Sequence, residues 1–161
     1  MLAMASADLS GFFRGKWRIH RTLAYTLGGP ASATFDGDAS FSEFGGTSTL
    51  LYEERGKLAF GGQTLEAQRR YFFCFDRDPP GVYFAEVEDG ETVVGKFFHP
   101  LDLSGELSSP ETCGAEFDHL CVDDLYQGAL RLKTSDAFEW QWRVTGPKKD
   151  GNLRAEYSRV T

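Results

Sequence analysis

The stretch Ala33-Thr34-Phe35-Asp36-Gly37-Asp38-Ala39-Ser40-Phe41-Ser42-Glu43-Phe44 decides the class of this chain. Phe35, Gly37, Ala39 and Phe41 fall on one face, and Thr34, Asp36, Asp38, Ser40 and Ser42 on the other, which is the period of an extended strand. One face is apolar and the other charged or hydroxylated. Such a strand belongs to an antiparallel sheet with a core on one side and water on the other.

The same alternation continues outward in both directions. Upstream, Trp17, Ile19 and Arg21 oppose Lys16, Arg18 and His20, and Gly28-Gly29-Pro30 breaks the run. Downstream of Gly45-Gly46, Leu50, Tyr52 and Glu54 oppose Leu51, Glu53 and Arg55 within Thr47 to Phe60. Gly61-Gly62 marks a hairpin into Thr64 to Phe75, where Arg70, Phe72 and Cys74 share one side and Arg69, Tyr71, Phe73 and Phe75 the other. Val82 to Val87 and Thr92 to His99 are joined at Glu88-Asp89-Gly90, another hairpin signal. Tyr126 to Thr134, Phe138 to Thr145 and Asn152 to Val160 complete the set, the last two turning at Gly146 to Gly151. Ser6 to Arg14 alone has helical spacing: Leu9, Phe12 and Phe13 make one stripe, Ser6 or Asp8 stands where a cap would, and Gly15 ends the run. Leu103 to Phe117 reads as one long irregular segment, the kind that serves as a lid or binding loop.

About nine strands joined by short turns predict an antiparallel meander, and closing the sheet on itself removes exposed edges. The expected fold is all-β: an up-and-down antiparallel barrel of about eight to ten strands with a short N-terminal helix as plug, residues 1–161 forming one domain.

Composition narrows the function. The formal net charge of −7 opposes binding to nucleic acid or an anionic membrane surface unless a local basic groove exists. No apolar run approaches the ~20 residues of a membrane helix, so no membrane insertion is expected. Cys74, Cys113 and Cys121 are odd in number and form no CxxC pair, and Met1 to Ser6 lacks the apolar region of a signal peptide, so a cytoplasmic setting is expected. Oligomeric state is not legible.

Gly15-Lys16-Trp17, following a short helical turn and opening the first strand, resembles the signature of the lipocalins and their calycin relatives. That resemblance implies that Trp17 plugs the closed end of a barrel and packs on a cation from the last strand, which Arg154 or Arg159 would supply. The second half extends the likeness: Phe98-His99-Pro100-Leu101-Asp102-Leu103, His119-Leu120-Cys121 with Asp124-Leu125-Tyr126 and Gly128, and Trp140-x-Trp142-x-Val144-x-Gly146-Pro147. With Trp17-x-Ile19-x-Arg21 and Arg69-Arg70-Tyr71, these resemble a family of small lipocalin-like proteins, widespread in bacteria, whose function is unknown. The resemblance implies the barrel and brings no activity.

Phe97 to Gly128 gathers two of three histidines and two of three cysteines, which makes it the stretch for candidate chemistry. His119, Cys121 and His99 would suit an open zinc site. The plainer reading is a buried thiol and backbone-bonded histidines, and no metal and no cofactor are expected. A Cys121 nucleophile with a histidine base, or acid–base work by His99, His119 and Asp124, makes a small enzyme one alternative, and an interaction module with a solid barrel another. The favoured reading is a small amphipathic or anionic ligand inside the barrel. Arg21, Arg70, His99, His119, Asp124, Tyr126, Tyr157 and Arg159 would be its polar contacts and Trp142 a pocket wall, with arginine forks holding a carboxylate or phosphate.

Overall fold

The structure is a computed structural model. It describes residues 6–101 and 114–161, with side chains from residue 9 onward. The helix α1 (Ser6–Phe13) precedes ten strands: β1 (Gly15–Leu27), β2 (Ala33–Glu43), β3 (Thr49–Phe60), β4 (Gln63–Cys74), β5 (Gly81–Glu88), β6 (Glu91–Pro100), β7 (Gly114–Cys121), β8 (Asp124–Thr134), β9 (Ala137–Thr145) and β10 (Asp150–Arg159). All pairings are antiparallel, in the order β6-β5-β4-β3-β2-β1-β10-β9-β8-β7. Consecutive strands are therefore sheet neighbours except β6 and β7, β1 pairs with β10, and the sheet curls until its two ends, β6 and β7, face each other. The result is a nearly closed, lipocalin-like up-and-down barrel.

The alternation that predicted β2 is the one that faces it inward: Phe35, Ala39 and Phe41 are buried. On β1, Trp17, Ile19 and Arg21 turn inward. Gly61-Gly62 joins β3 to β4 with both residues at positive φ, 56° and 76°, the backbone of a two-residue hairpin turn whose twist matches its strands.

One end of the barrel is stoppered by rings. Leu9, Phe12 and Phe13 of α1 are buried, and Phe13 packs on Phe41 at 5.3 Å and on Phe138 at 5.2 Å between ring centroids. The Trp17 indole donates to the Phe13 carbonyl at 2.8 Å, and the Arg159 guanidinium lies 4.2 Å from the Trp17 ring. Arg159 also donates to the carbonyls of Phe12 and Arg14, so it ties the last strand to the end of the helix. Of the two cations the sequence offered, Arg159 serves; Arg154 pairs instead with Glu139 at 2.8 Å.

Two expectations change. The irregular segment does not run to Phe117: Gly114–Cys121 is β7, with Ala115 and Phe117 buried, and it forms a hairpin with β8 through Val122 and Asp123. Tight alternation in Ala115 to Leu120 was masked by the Ser/Gly/Pro-rich residues before it. The remainder of that segment, residues 102–113, lies outside the described residues, as do Cys113 and the capping side chains Ser6 and Asp8. The helix runs to Phe13, one residue short of the expected end; the Arg14 N–H still donates to the Ser10 carbonyl at 2.9 Å, and the chain turns out of the helix at Gly15 with φ 120°.

Candidate functional site

A cavity of about 90 Å³ remains inside the barrel above the aromatic stopper. Two kinds of wall meet in it. Phe73, Phe98, Trp140, Trp142 and His99 form an aromatic side, and Arg21, Tyr52, Arg69 and Tyr157 a polar side.

The polar side is built on Glu54, which is 3% exposed. Its parity on β3 with Leu50 and Tyr52 turns it inward, where Arg21 grips it as a fork, Nη1 to Oε1 at 2.9 Å and Nη2 to Oε2 at 2.9 Å. Arg69 adds Nε to Oε1 at 2.6 Å from β4, where Arg69 pairs directly with Glu54 across the ladder. The Tyr52 hydroxyl donates to Oε2. Because that proton is committed, the 3.0 Å contact between Tyr52 and Tyr157 hydroxyls must be donated by Tyr157. Tyr157 in turn accepts from Arg21 Nη2 at 3.3 Å. Four donors therefore end on one carboxylate and fill its four acceptor positions, while Tyr157 links Arg21 to Tyr52 behind it.

Burial works to raise the Glu54 carboxyl, but the Arg21 hydrogen bonds and the Arg69 and Arg21 charges hold it at about 2. Burial works against the Arg21 charge, and Tyr157 and Glu54 more than restore it. Burial, then Tyr157 and Glu54, push the Tyr52 phenol well above its usual range. The cluster therefore holds one carboxylate and two guanidiniums, a net charge of +1. Arg69 is the accessible member: its side chain is 43% exposed while lining the cavity, so it stands at the entrance. Its Nη1 and Nη2 carry no hydrogen bond among the described residues.

The aromatic side owes its shape to a bulge. Val82 pairs with His99 but Tyr83 with Phe97, leaving Phe98 as an extra residue, so Phe98 and His99 both turn inward against strict alternation. His99 is 2% exposed, and its Nδ1 lies 2.9 Å from the Pro100 carbonyl, which must accept, so the proton sits on Nδ1. Burial lowers its pKa to about 4, opposed by the Pro100 bond and aided by His119. Its ring stacks on Phe117, with centroids 4.1 Å apart, and stands edge-on to Trp140 and Trp142. Trp140 Nε1 is the one buried side-chain polar atom with no hydrogen-bond partner among the described residues.

Of the residues expected to form a site, Arg21, His99, Trp142 and Tyr157 line the cavity together. His119 lies near it, its ring 4.9 Å from Phe98, and Tyr126 is next, 6.2 Å from His119. Arg70 does not join them: it is exposed and its Nη2 donates to Thr92 Oγ1 at 3.1 Å. Asp124 accepts the backbone N–H groups of Lys148 and Lys149 at 3.2 and 3.3 Å and so fastens the β9–β10 turn. Arg159 is spent at the stopper. Cys121 is exposed, Cys74 buried elsewhere, and among the described residues no three His, Cys, Asp or Glu side chains converge to hold a metal. Tyr52, Glu54 and Arg69 are the site residues that the sequence reading missed. Parity was the available signal: Arg69 shares its face with Tyr71 and Phe73, and Glu54 its face with Leu50 and Tyr52.

Residues 13–159 match the model of a family of unknown function, DUF6314. No curated protein matches the sequence. Among solved structures, the chain is similar to Rv2717c from M. tuberculosis, with a TM-score of 0.61 at 13% identity over 99% of this chain and 100% of that one. It is also similar to the S-type phycobiliprotein lyase CPES from Guillardia theta, with a TM-score of 0.58 at 9% identity over 98% and 94%. At such identities the likeness is one of fold.

Proposed function

The chain belongs to the DUF6314 family, and from that starting point we propose that it binds a small amphipathic molecule through an anionic head group inside the barrel. One observation carries the reading. Two guanidiniums share a single carboxylate whose acceptor positions are full, while the Nη donors of Arg69 have no partner among the described residues. An incoming group must bring acceptors, and a negative charge neutralises the cluster.

Size assigns which part of the ligand enters. A cavity of about 90 Å³ is smaller than the roughly 150 Å³ that encloses a benzene, so it takes a head group rather than a whole molecule. The remainder would extend outward past Arg69, the exposed member of the cavity wall. The phycobiliprotein lyase CPES has the same barrel fold, an architecture whose interior can enclose a ligand. One domain in a reducing interior is the setting this reading assumes, supported by the unpaired Cys74 and the exposed Cys121.

Native mass spectrometry of the purified protein tests it. The expected result is an acidic adduct that is lost in Arg69→Gln. A clean mass, together with hexanoate binding no better than hexanamide in a calorimetric titration, would overturn the reading.

A further inference from the structure

Resting on the anionic-ligand reading, we infer that Glu54 sets the charge of the head group, restricting it to a monoanion of the carboxylate type and excluding dianionic phosphate monoesters. The argument is a charge count in a confined space. Arg21 and Arg69 contribute two positive charges and Glu54 one negative, and Arg21 and Glu54 are 7% and 3% exposed. Charges placed there interact through a medium far less polarisable than water, so imbalance is costly.

A carboxylate brings the cluster to neutrality. A phosphate monoester at pH 8 carries close to two charges and leaves one in excess. A neutral amide leaves the guanidinium excess in place and offers donors that Glu54 has no position to accept. Glu54 also fixes which cation greets the ligand. It occupies both Nη groups of Arg21 and only Nε of Arg69, so the Nη pair of Arg69 is the fork left without a partner among the described residues. The selectivity device is therefore an acidic residue that never needs to touch the ligand; it acts as a positioning and charge-setting residue.

Isothermal titration at pH 8 with hexanoate, hexyl phosphate and hexanamide tests this. Wild-type protein is expected to bind hexanoate at least about tenfold tighter than either of the others. Glu54→Gln raises the cluster to +2 and is expected to invert the order of hexanoate and hexyl phosphate. Arg69→Gln lowers it to zero and is expected to bring hexanoate down to the level of hexanamide. Should Glu54→Gln fail to fold, the wild-type ratio and the half-exposed Arg69 variant decide the matter. Equal wild-type affinity for hexanoate and hexyl phosphate, both above hexanamide, would overturn the charge-setting role and leave the anion reading standing. Equal affinity for all three, or none, would overturn both.

Discussion

The His99 imidazole lies flat on the Phe117 ring, centroids 4.1 Å apart and planes 7° from parallel, across the junction between β6 and β7, where no backbone ladder joins the described residues. Phe98 and His119 meet across the same junction at 4.9 Å. The barrel is thus sealed between β6 and β7 by ring faces, and the ring that does most of this is titratable.

Acid should loosen this seal. Between pH 6.5 and about 4 the unfolded chain takes up a proton at His99 that the folded chain refuses, so stability is complete above 6.5 and falls with the pH below it. Urea unfolding at pH 7.5 and 4.5 is expected to show a loss of about 2–3 kcal/mol from this group. His99→Phe should lose less over the same interval by that amount. Glu54 adds a second loss below pH 4.5, as its carboxyl protonates toward about 2.

Gly128 lies against the same stack. A Cβ there would stand 2.1 Å from Phe117 Cε2, so Gly128→Ala must displace the Phe117 ring on which His99 stacks. The expected cost is about 1–3 kcal/mol, with a red shift in tryptophan emission as Trp140 and Trp142 loosen. Unchanged emission and stability would show that the ring can give way freely.

The buried ion cluster should be far more costly to break than to replace. Glu54→Leu strands the Arg21 charge and is expected to cost about 3–5 kcal/mol in urea unfolding. Combining it with Arg21→Met should recover most of that loss, because two uncharged side chains leave nothing unpaired.

Arg69 and Arg70 are chain neighbours on opposite faces of β4. Arg69→Ala is expected to weaken hexanoate at least about tenfold with little loss of stability, whereas Arg70→Ala leaves both within about twofold and 0.5 kcal/mol. Equal effects of the two would mean that the strand's register is other than described.

Arg159 belongs to the stopper. Arg159→Leu removes donors to the Phe12 and Arg14 carbonyls and the cation over Trp17, so unfolding is expected to ease by about 2–3 kcal/mol. Hexanoate affinity measured on the remaining folded protein should not move.

What the sequence determined by itself was the class of the fold and the direction of most side chains. Period-two alternation is local, and it was enough to face Trp17, Ile19, Arg21, Phe35 and Phe41 inward and to locate the turns at Gly61-Gly62 and Asp89-Gly90. The resemblance to lipocalins paired Trp17 with two candidate cations and left the choice open; in the barrel Arg154 stands on the outer face of β10 beside Glu156, and Arg159 on the face of Ala155 and Tyr157. The tertiary structure decided everything that depends on three strands meeting. Glu54, Arg21, Arg69 and Tyr157 lie on four strands, and no spacing along the chain foretells that one carboxylate will be shared by two guanidiniums. The bulge at Phe98 reverses the parity on which a prediction for His99 would rest, and β7 turns an apparent loop into the far edge of the seal. Alternation fixes which way a residue faces; only closure of the barrel fixes what it faces.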